Sequence, residues 1–324
     1  QWADLYKGKE LPPLKVSTTP LSALAEENKN IADYPTEAYL RRARELYFAS
    51  ISFVDYNIGK ILQQLEDMGE YDNTLIIFTS DHGEMLGDYG TYQKFLPYDS
   101  SARVPLIVRY PEVFKGGEVD RRFVDLNDIL PTVLDAAGVA YPNPAILPGE
   151  SVLKKSGFKD RTKQYVEHAH GSRRWASIRN GQYKYTYYYG GGKEELFDMI
   201  NDPDETTNLL EAQETCECLR QSFPSESVSA VREELHAALV EQEKRYGLEG
   251  YVKNDELVVL DEMQPFFYRE NNPPIFPKEQ DEDFVSLEEE VARAIAKEEV
   301  VKLSELDVPY FTKSGTLSEE KLKK

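Results

Sequence analysis

An α/β fold followed by a small antiparallel-sheet and helix subdomain is what this sequence predicts, and three observations predict it. The run Thr74-Leu-Ile-Ile-Phe-Thr79 is apolar, β-branched and aromatic, with Tyr71-Asp-Asn73 before it and Asp81-His-Gly83 after it. Such a run, bounded by turn-formers, reads as a buried strand. It lies in a helix–strand–loop–strand–helix order, which is the α/β pattern. Near residue 150 the pattern changes, to short aromatic segments separated by glycines and an Asn180-Gly181 pair. Asn-Gly between strand-like runs signals a hairpin.

Each element follows in turn. From Thr36 to Met68, Leu40, Ala43, Leu46, Tyr47, Ile51, Val54, Ile58, Ile61, Leu62 and Leu65 recur at helical steps, and Gly69 is the expected stop. The Thr74 strand comes next, then a loop through Gly83, Gly87 and Gly90. Val104 to Arg109 is a second buried strand that tolerates Pro105 at its entry. Asp128 to Ala137 is a short amphipathic helix closed by Gly138. Strands are expected over Tyr165–His170, Trp175–Arg179, Tyr183–Tyr189 and Glu195–Phe197. A helix is expected over Val228–Arg245, ending at Gly247, and a last one over Ser286–Leu303. This divides the chain into 1–160, the α/β part; 161–250, the small sheet and helix; and 251–324, an acidic extension.

Composition narrows the function classes. The 324 residues carry a formal charge of −20, which argues against nucleic acid as a partner. No apolar run reaches the ~20 residues of a membrane span. The two cysteines, Cys216 and Cys218, are too close for a relaxed disulfide and too few for a zinc site. No glycine-rich phosphate loop, Gly-x-Ser-x-Gly or His-Glu-x-x-His occurs. The chain begins with Gln1 rather than Met, so sequence ahead of it is expected.

The chemistry concentrates after the first strand. Asp81 and His82 place a carboxylate and an imidazole at a strand's carboxyl end, where open α/β sheets hold ligands. They form a candidate metal half-site; further oxygen ligands would suit calcium or magnesium, while the imidazole tilts toward manganese or zinc. A plain turn role for Asp81 is the alternative. Lys94, twelve residues after His82, can deliver a point charge to an anionic substrate, or can be an ordinary surface lysine. His168 and His170 alternate along a strand and are expected on one face, with Arg173 and Arg174 in the next turn. That cluster reads either as an anion or sugar subsite or as a polar hairpin edge. His236 reads as a packing or surface residue.

Together these segments resemble the carboxyl-terminal part of a sulfatase, of the alkaline-phosphatase superfamily. The residues that carry the resemblance are Tyr47 to Asp55 with Ile58-Gly59, Asn73-Thr74 through Ser80-Asp-His-Gly-Glu-Met-Leu-Gly87, and Lys94 with Tyr98 to Arg109. Asp125 to Thr132, Leu147 to Ser151, Ile178 to Tyr185, and Glu195-Leu-Phe-Asp198 to Leu209 follow in the family's order. The resemblance implies a partial alkaline-phosphatase-like α/β sandwich. It makes Asp81 and His82 two of the four protein ligands of a divalent cation, usually calcium. Lys94 would contact the sulfate and the ester oxygen, and His168, His170 and Arg173 would face the organic part of an anionic ester such as a sulfated sugar. Two departures stand out. Tyr89 occupies a position where many relatives have histidine, and the Cys/Ser-x-Pro/Ala-Ser-Arg motif that yields formylglycine is absent, as are two further aspartate ligands. These are expected in a missing amino-terminal part of the same enzyme, so this chain alone is expected to be inactive. The family also favours an extracytoplasmic location. A phosphonate monoester or phosphodiester hydrolase of the same superfamily, and a non-catalytic binding subunit, are the competing readings.

Overall fold

The computed structural model describes residues 2–26, 37–143, 146–154, 161–215 and 225–262. Cys216, Cys218 and the expected helix Ser286–Leu303 lie outside them. Helix α1 spans Glu37–Asp67, with an acidic side chain in its first turn complementing the helix dipole. It ends as the sequence predicts. Gly69 is left-handed at φ 73°, its N–H donates to Glu66 O at 2.9 Å and Glu70 N–H donates to Leu65 O at 3.0 Å. That pair of bonds is a Schellman cap. The amino-terminal segment lies against α1, where the Trp2 ring meets Phe53 and Tyr56 and Tyr6 Oη bonds Ser52 Oγ at 2.9 Å.

Strand β1, Ile76–Thr79, pairs with β2, Leu106–Arg109, through the register Ile76↔Arg109 to Thr79↔Leu106. The pairing is antiparallel, and the strand is less buried than expected. Alternation sends Leu75, Leu106 and Val108 into a cluster with Val152, Leu153, Phe114 and Val124. It sends Phe78 and Ile107 to the other face, where they are 40% and 62% exposed. Between the strands lies the four-residue helix α2, Asp99–Ala102. Helix α3, Ile129–Ala136, follows directly on a 3₁₀ turn, Leu126–Asp128, that a capping box made by Asp125 and Asp128 opens, and it stops at left-handed Gly138.

The second sheet is an antiparallel meander: β3 Gln164–His168, β4 Trp175–Arg179, β5 Tyr183–Tyr188 and β6 Lys193–Asp198. Asn180 closes the β4–β5 turn, its Oδ1 accepting from Gln182 and Tyr183 N–H at 2.9 and 2.7 Å. Period-two alternation gives this sheet two working faces. Ala176, Ile178, Tyr185, Tyr187 and Leu196 pack against Leu235, Leu239 and Val240 of the long helix that follows. Trp175, Tyr188 and Phe197 face the other way, onto Met85, Tyr89, Leu96 and Tyr98 of the loop between β1 and α2. Helix α4 is Leu209–Thr215, and the long helix, α5, is Ser225–Tyr246. A small ribbon, β7 Val252–Lys253 with β8 Glu256–Leu257, ends the described chain. No helix among the described residues is long and apolar enough to cross a membrane.

Candidate functional site

The antiparallel pairing decides what stands beside Asp81. Because Thr79 lies opposite Leu106, the carboxyl end of β1 meets the amino end of β2, and residues 81–83 come to lie against α2, with Arg103 lining the same cavity. A cavity of about 1230 Å³ opens there; Asp81, His82, Lys94, Arg103 and Arg121 line it together with His168 and Trp175 from the second sheet.

The Asp81–His82 turn is held by its own backbone. Asp81 Oδ1 accepts from His82 N–H at 2.9 Å, and Ser80 Oγ donates to His82 O at 2.8 Å. The His82 amide, with the His82 ring and Ser80 hydroxyl adding to it against slight burial, holds the Asp81 carboxyl below its ordinary range. His82 Nδ1 is 2.8 Å from Gly83 O. A carbonyl only accepts, so Nδ1 carries the proton in that bond and Nε2 points elsewhere. Nε2 lies 3.3 Å from Asp81 Oδ2, and the Asp81 side chain is 81% exposed. An imidazole nitrogen oriented through its other nitrogen, beside an unhindered carboxylate, is the donor pair a divalent cation takes. The pair fits such an ion as half of a site; among the described residues no group of three or more His, Cys, Asp or Glu side chains could hold a metal.

Gly83 is required by close packing rather than by a turn. Its N–H donates to Ser101 O at 2.7 Å, and a Cβ on it would sit 2.1 Å from Ser100 O. The loop then returns through Gln93, whose N–H donates to Glu84 Oε1 at 2.6 Å. Lys94 follows, with its side chain exposed and its carbonyl accepting from Ser101 Oγ at 2.6 Å. Phe95 O accepts from Trp175 Nε1 at 2.9 Å.

His168 faces the cavity, its ring 5.5 Å from Phe95 and 5.8 Å from Trp175, and burial lowers its pKa. His170 does not share its face. Strand β3 stops at His168, Ala169 turns left-handed at φ 62°, and exposed His170 leads into the 3₁₀ turn Gly171–Arg173. Neither His170 nor Arg173 lines the cavity. Arg174, expected beside them in an anion subsite, is buried instead, ion-paired with Glu243 at 2.9 Å and with Glu167. Tyr89 is likewise a packing residue: it is buried, and its hydroxyl donates to Asp204 O. His236 packs as expected, with Nδ1 2.9 Å from Tyr185 Oη.

The structure also brings in residues that the motif reading missed. Arg103 and Arg121 line the cavity, and Lys184 lies buried at its floor, 2.9 Å from Asp99 Oδ1 and 2.7 Å from Glu205 Oε1. Burial opposes the Asp99 charge, but Lys184, Arg179 and Arg103 together hold it below its usual range. Under the same helix, Glu195 accepts from Tyr98 and Tyr188 hydroxyls at 3.0 and 2.6 Å. Its complete burial outweighs those donors and pushes it up to about 7. Recognising that β1 and β2 run antiparallel is the signal that would have found Arg103.

This is the α/β fold shared by sulfatases and phosphonate monoester hydrolases. The structure matches the solved complex of BT4656 with its substrate D-glucosamine-2-N,6-O-disulfate at a TM-score of 0.55 and 30% identity, covering 68% of this chain and 45% of that one. It matches the phosphonate monoester hydrolase of Agrobacterium radiobacter at a TM-score of 0.56 and 24% identity, over 72% and 51%, a likeness of fold alone. The family model for sulfatases matches residues 17–139, and that for the carboxyl-terminal part of N-sulphoglucosamine sulphohydrolase matches residues 87–234. An arylsulfatase of Clostridium perfringens is 32% identical over 225 residues, which is 65% of this chain and 46% of the relative. Between them the two family models match residues 17–234, and the chain spans less than half the length of the curated sulfatases it matches.

Proposed function

We propose that this chain carries one side of a sulfatase active site and that the whole protein hydrolyses sulfate esters. The observation that supports this is one cavity lined by Asp81, His82 and Lys94, with the two loops that bear them bonded to the same residue of α2. In this reading Asp81 and His82 hold a divalent cation, calcium by family, with further ligands and the formylglycine supplied by sequence outside residues 1–324. The bound cation supplies electrostatic neutralisation of an anionic ester. Lys94 places its ammonium against the sulfate oxygens, where a fixed positive charge stabilises charge developing on the ester oxygen. His168, its pKa lowered by burial, faces the organic part of the substrate. Substrates of the sugar-sulfate class suit the cavity's size and its arginines, and the substrate of the BT4656 complex belongs to that class. His170 and Arg173 remain candidate contacts for the far end of a longer substrate. Segments 1–160, 161–250 and 251–324 are the proposed domains.

The test is Lys94→Ala in the complete enzyme, assayed on an aryl sulfate. Removing one group that stabilises transition-state charge costs about 10²–10³-fold in kcat. An unchanged kcat removes Lys94 from the mechanism, and robust turnover by residues 1–324 alone removes the idea that the nucleophile lies elsewhere. The fold-level likeness to a phosphonate monoester hydrolase keeps one second reading, and a panel pairing matched sulfate and phosphonate esters decides between them.

A further inference from the structure

The two site-bearing loops are fixed by contacts of their backbones with one residue outside the catalytic set. Ser101 is 2% exposed. Its carbonyl oxygen accepts from Gly83 N–H at 2.7 Å, one residue after His82, and its Oγ donates to Lys94 O at 2.6 Å. Its own N–H donates to Tyr98 O at 2.8 Å. The helix α2 that carries Ser101 is itself anchored to buried groups. Asp99 N–H donates to Glu205 Oε2 at 2.6 Å, Asp99 Oδ1 accepts from Lys184 at 2.9 Å, and Ser100 Oγ donates to Asp88 Oδ2 at 2.6 Å. Against this anchor, Gly83 approaches so closely that no side chain fits.

Lys94 presents the opposite situation. Its side chain is exposed, and its one ring neighbour, Phe95, is 5.6 Å from Nζ. The ammonium sits on a flexible four-carbon stem, so the position of its backbone decides where the charge can reach. Two donors set that position, Ser101 Oγ on Lys94 O and Trp175 Nε1 on Phe95 O. Of these, Ser101 alone also holds the Asp81–His82 turn.

We infer that Ser101 is a positioning residue for the reaction, setting the distance between the Asp81–His82 turn and the Lys94 ammonium. The inference rests on the proposed role of Lys94. Misplacing a charged group by ~1 Å can cost about 10²-fold in rate, and alanine at this position leaves the Lys94 carbonyl without its donor while keeping the Gly83 bond.

The experiment is a double-mutant cycle in the complete enzyme on an aryl sulfate, with Ser101→Ala, Lys94→Ala and the pair, and with Ser101→Thr as the hydroxyl-retaining control. Groups that act as a unit are non-additive. Ser101→Ala should lower kcat by about 10- to 100-fold with a smaller change in KM. It should have less than about a twofold effect once Lys94 is alanine, and Ser101→Thr should recover most of the rate. Ser101→Cys, which keeps the side chain's size and weakens the donor, repeats the test should the alanine variant fold poorly. Hydrogen exchange over residues 92–96 gives a readout apart from turnover and should rise in Ser101→Ala and Ser101→Cys but not in Ser101→Thr. Wild-type kcat in both the alanine and cysteine variants, or an equal loss with and without Lys94, overturns the inference while leaving the Lys94 proposal intact. Wild-type kcat in Lys94→Ala overturns both.

Discussion

The two sheets of this molecule obey the same alternation and end up in opposite situations. In the four-stranded sheet both faces are covered: Tyr185, Tyr187 and Leu196 lie under α5, and Trp175, Tyr188 and Phe197 lie under the loop that carries Lys94. In the two-stranded sheet one face is covered, and Phe78 and Ile107 stand open on the other. Helix α1 repeats that contrast along its length. Ala49 and Glu45 are buried, while Tyr47, Ile51, Val54 and Ile61, at helical spacing, are exposed. The candidate site is assembled across this divide. Asp81 and His82 hang from the open sheet and are held mainly by local bonds, whereas His168 and the Lys94–Phe95 backbone are pinned by the closed one. A single turn of helix, α2, ties the two sides.

Several changes would break or sharpen that contrast. The largest effect is expected in the closed region, from Glu243→Ala. It removes the fully buried one of the two carboxylates on the Arg174 guanidinium, leaving only part-exposed Glu167, and should cost about 3–5 kcal/mol in denaturant-induced unfolding of this chain. Leu239→Ala, at a fully buried position beneath the sheet, should cost about 2–5 kcal/mol by the same measurement. A loss under 1 kcal/mol in both would mean that the closed core is not what holds the domain.

The next effect is a pH dependence. Burial raises Glu195 from 4.5 to about 7, so the native chain binds this proton where the unfolded chain has released it. The associated stability is present below about pH 4.5 and disappears as pH rises through 7, on the order of 3 kcal/mol in all. Unfolding free energy followed from pH 5 to 8 should contain this component, and Glu195→Gln should lack it. Identical pH slopes for the two proteins would show that Glu195 is ionised throughout. The smallest effect is expected on the open side. Ile61→Ser, at a side chain 63% exposed, should change the stability of this chain by no more than about 0.5 kcal/mol. A loss near that of Leu239→Ala would show that α1 is covered after all.

Legibility in the sequence tracked the range of the forces involved. The end of α1 at Gly69 and the strand Trp175–Arg179 were readable because a Schellman cap and a flanking hairpin turn are written in adjacent residues. The Asp81–His82 turn was readable for the same reason. The shared face expected for His168 and His170 failed at Ala169, whose left-handed conformation has no sequence signal when the residue is not glycine. Arg174 looked like a surface cation because its partner Glu243 lies 69 positions away.

By itself, the sequence determined the element types, the carboxylate–imidazole turn after a strand, the lysine beyond it and the family resemblance. These depend on periodicity, capping and local motif, which act over a few residues. Only the tertiary structure decided that β1 and β2 run antiparallel, so that α2 meets the Asp81–Gly83 turn and Arg103 lines the same cavity. It also decided that Lys184 lies buried between Asp99 and Glu205, and that a serine hydroxyl donates to the Lys94 carbonyl. Those outcomes depend on which distant groups a buried charge or an unpaired carbonyl finds, because leaving either one without a partner is costly.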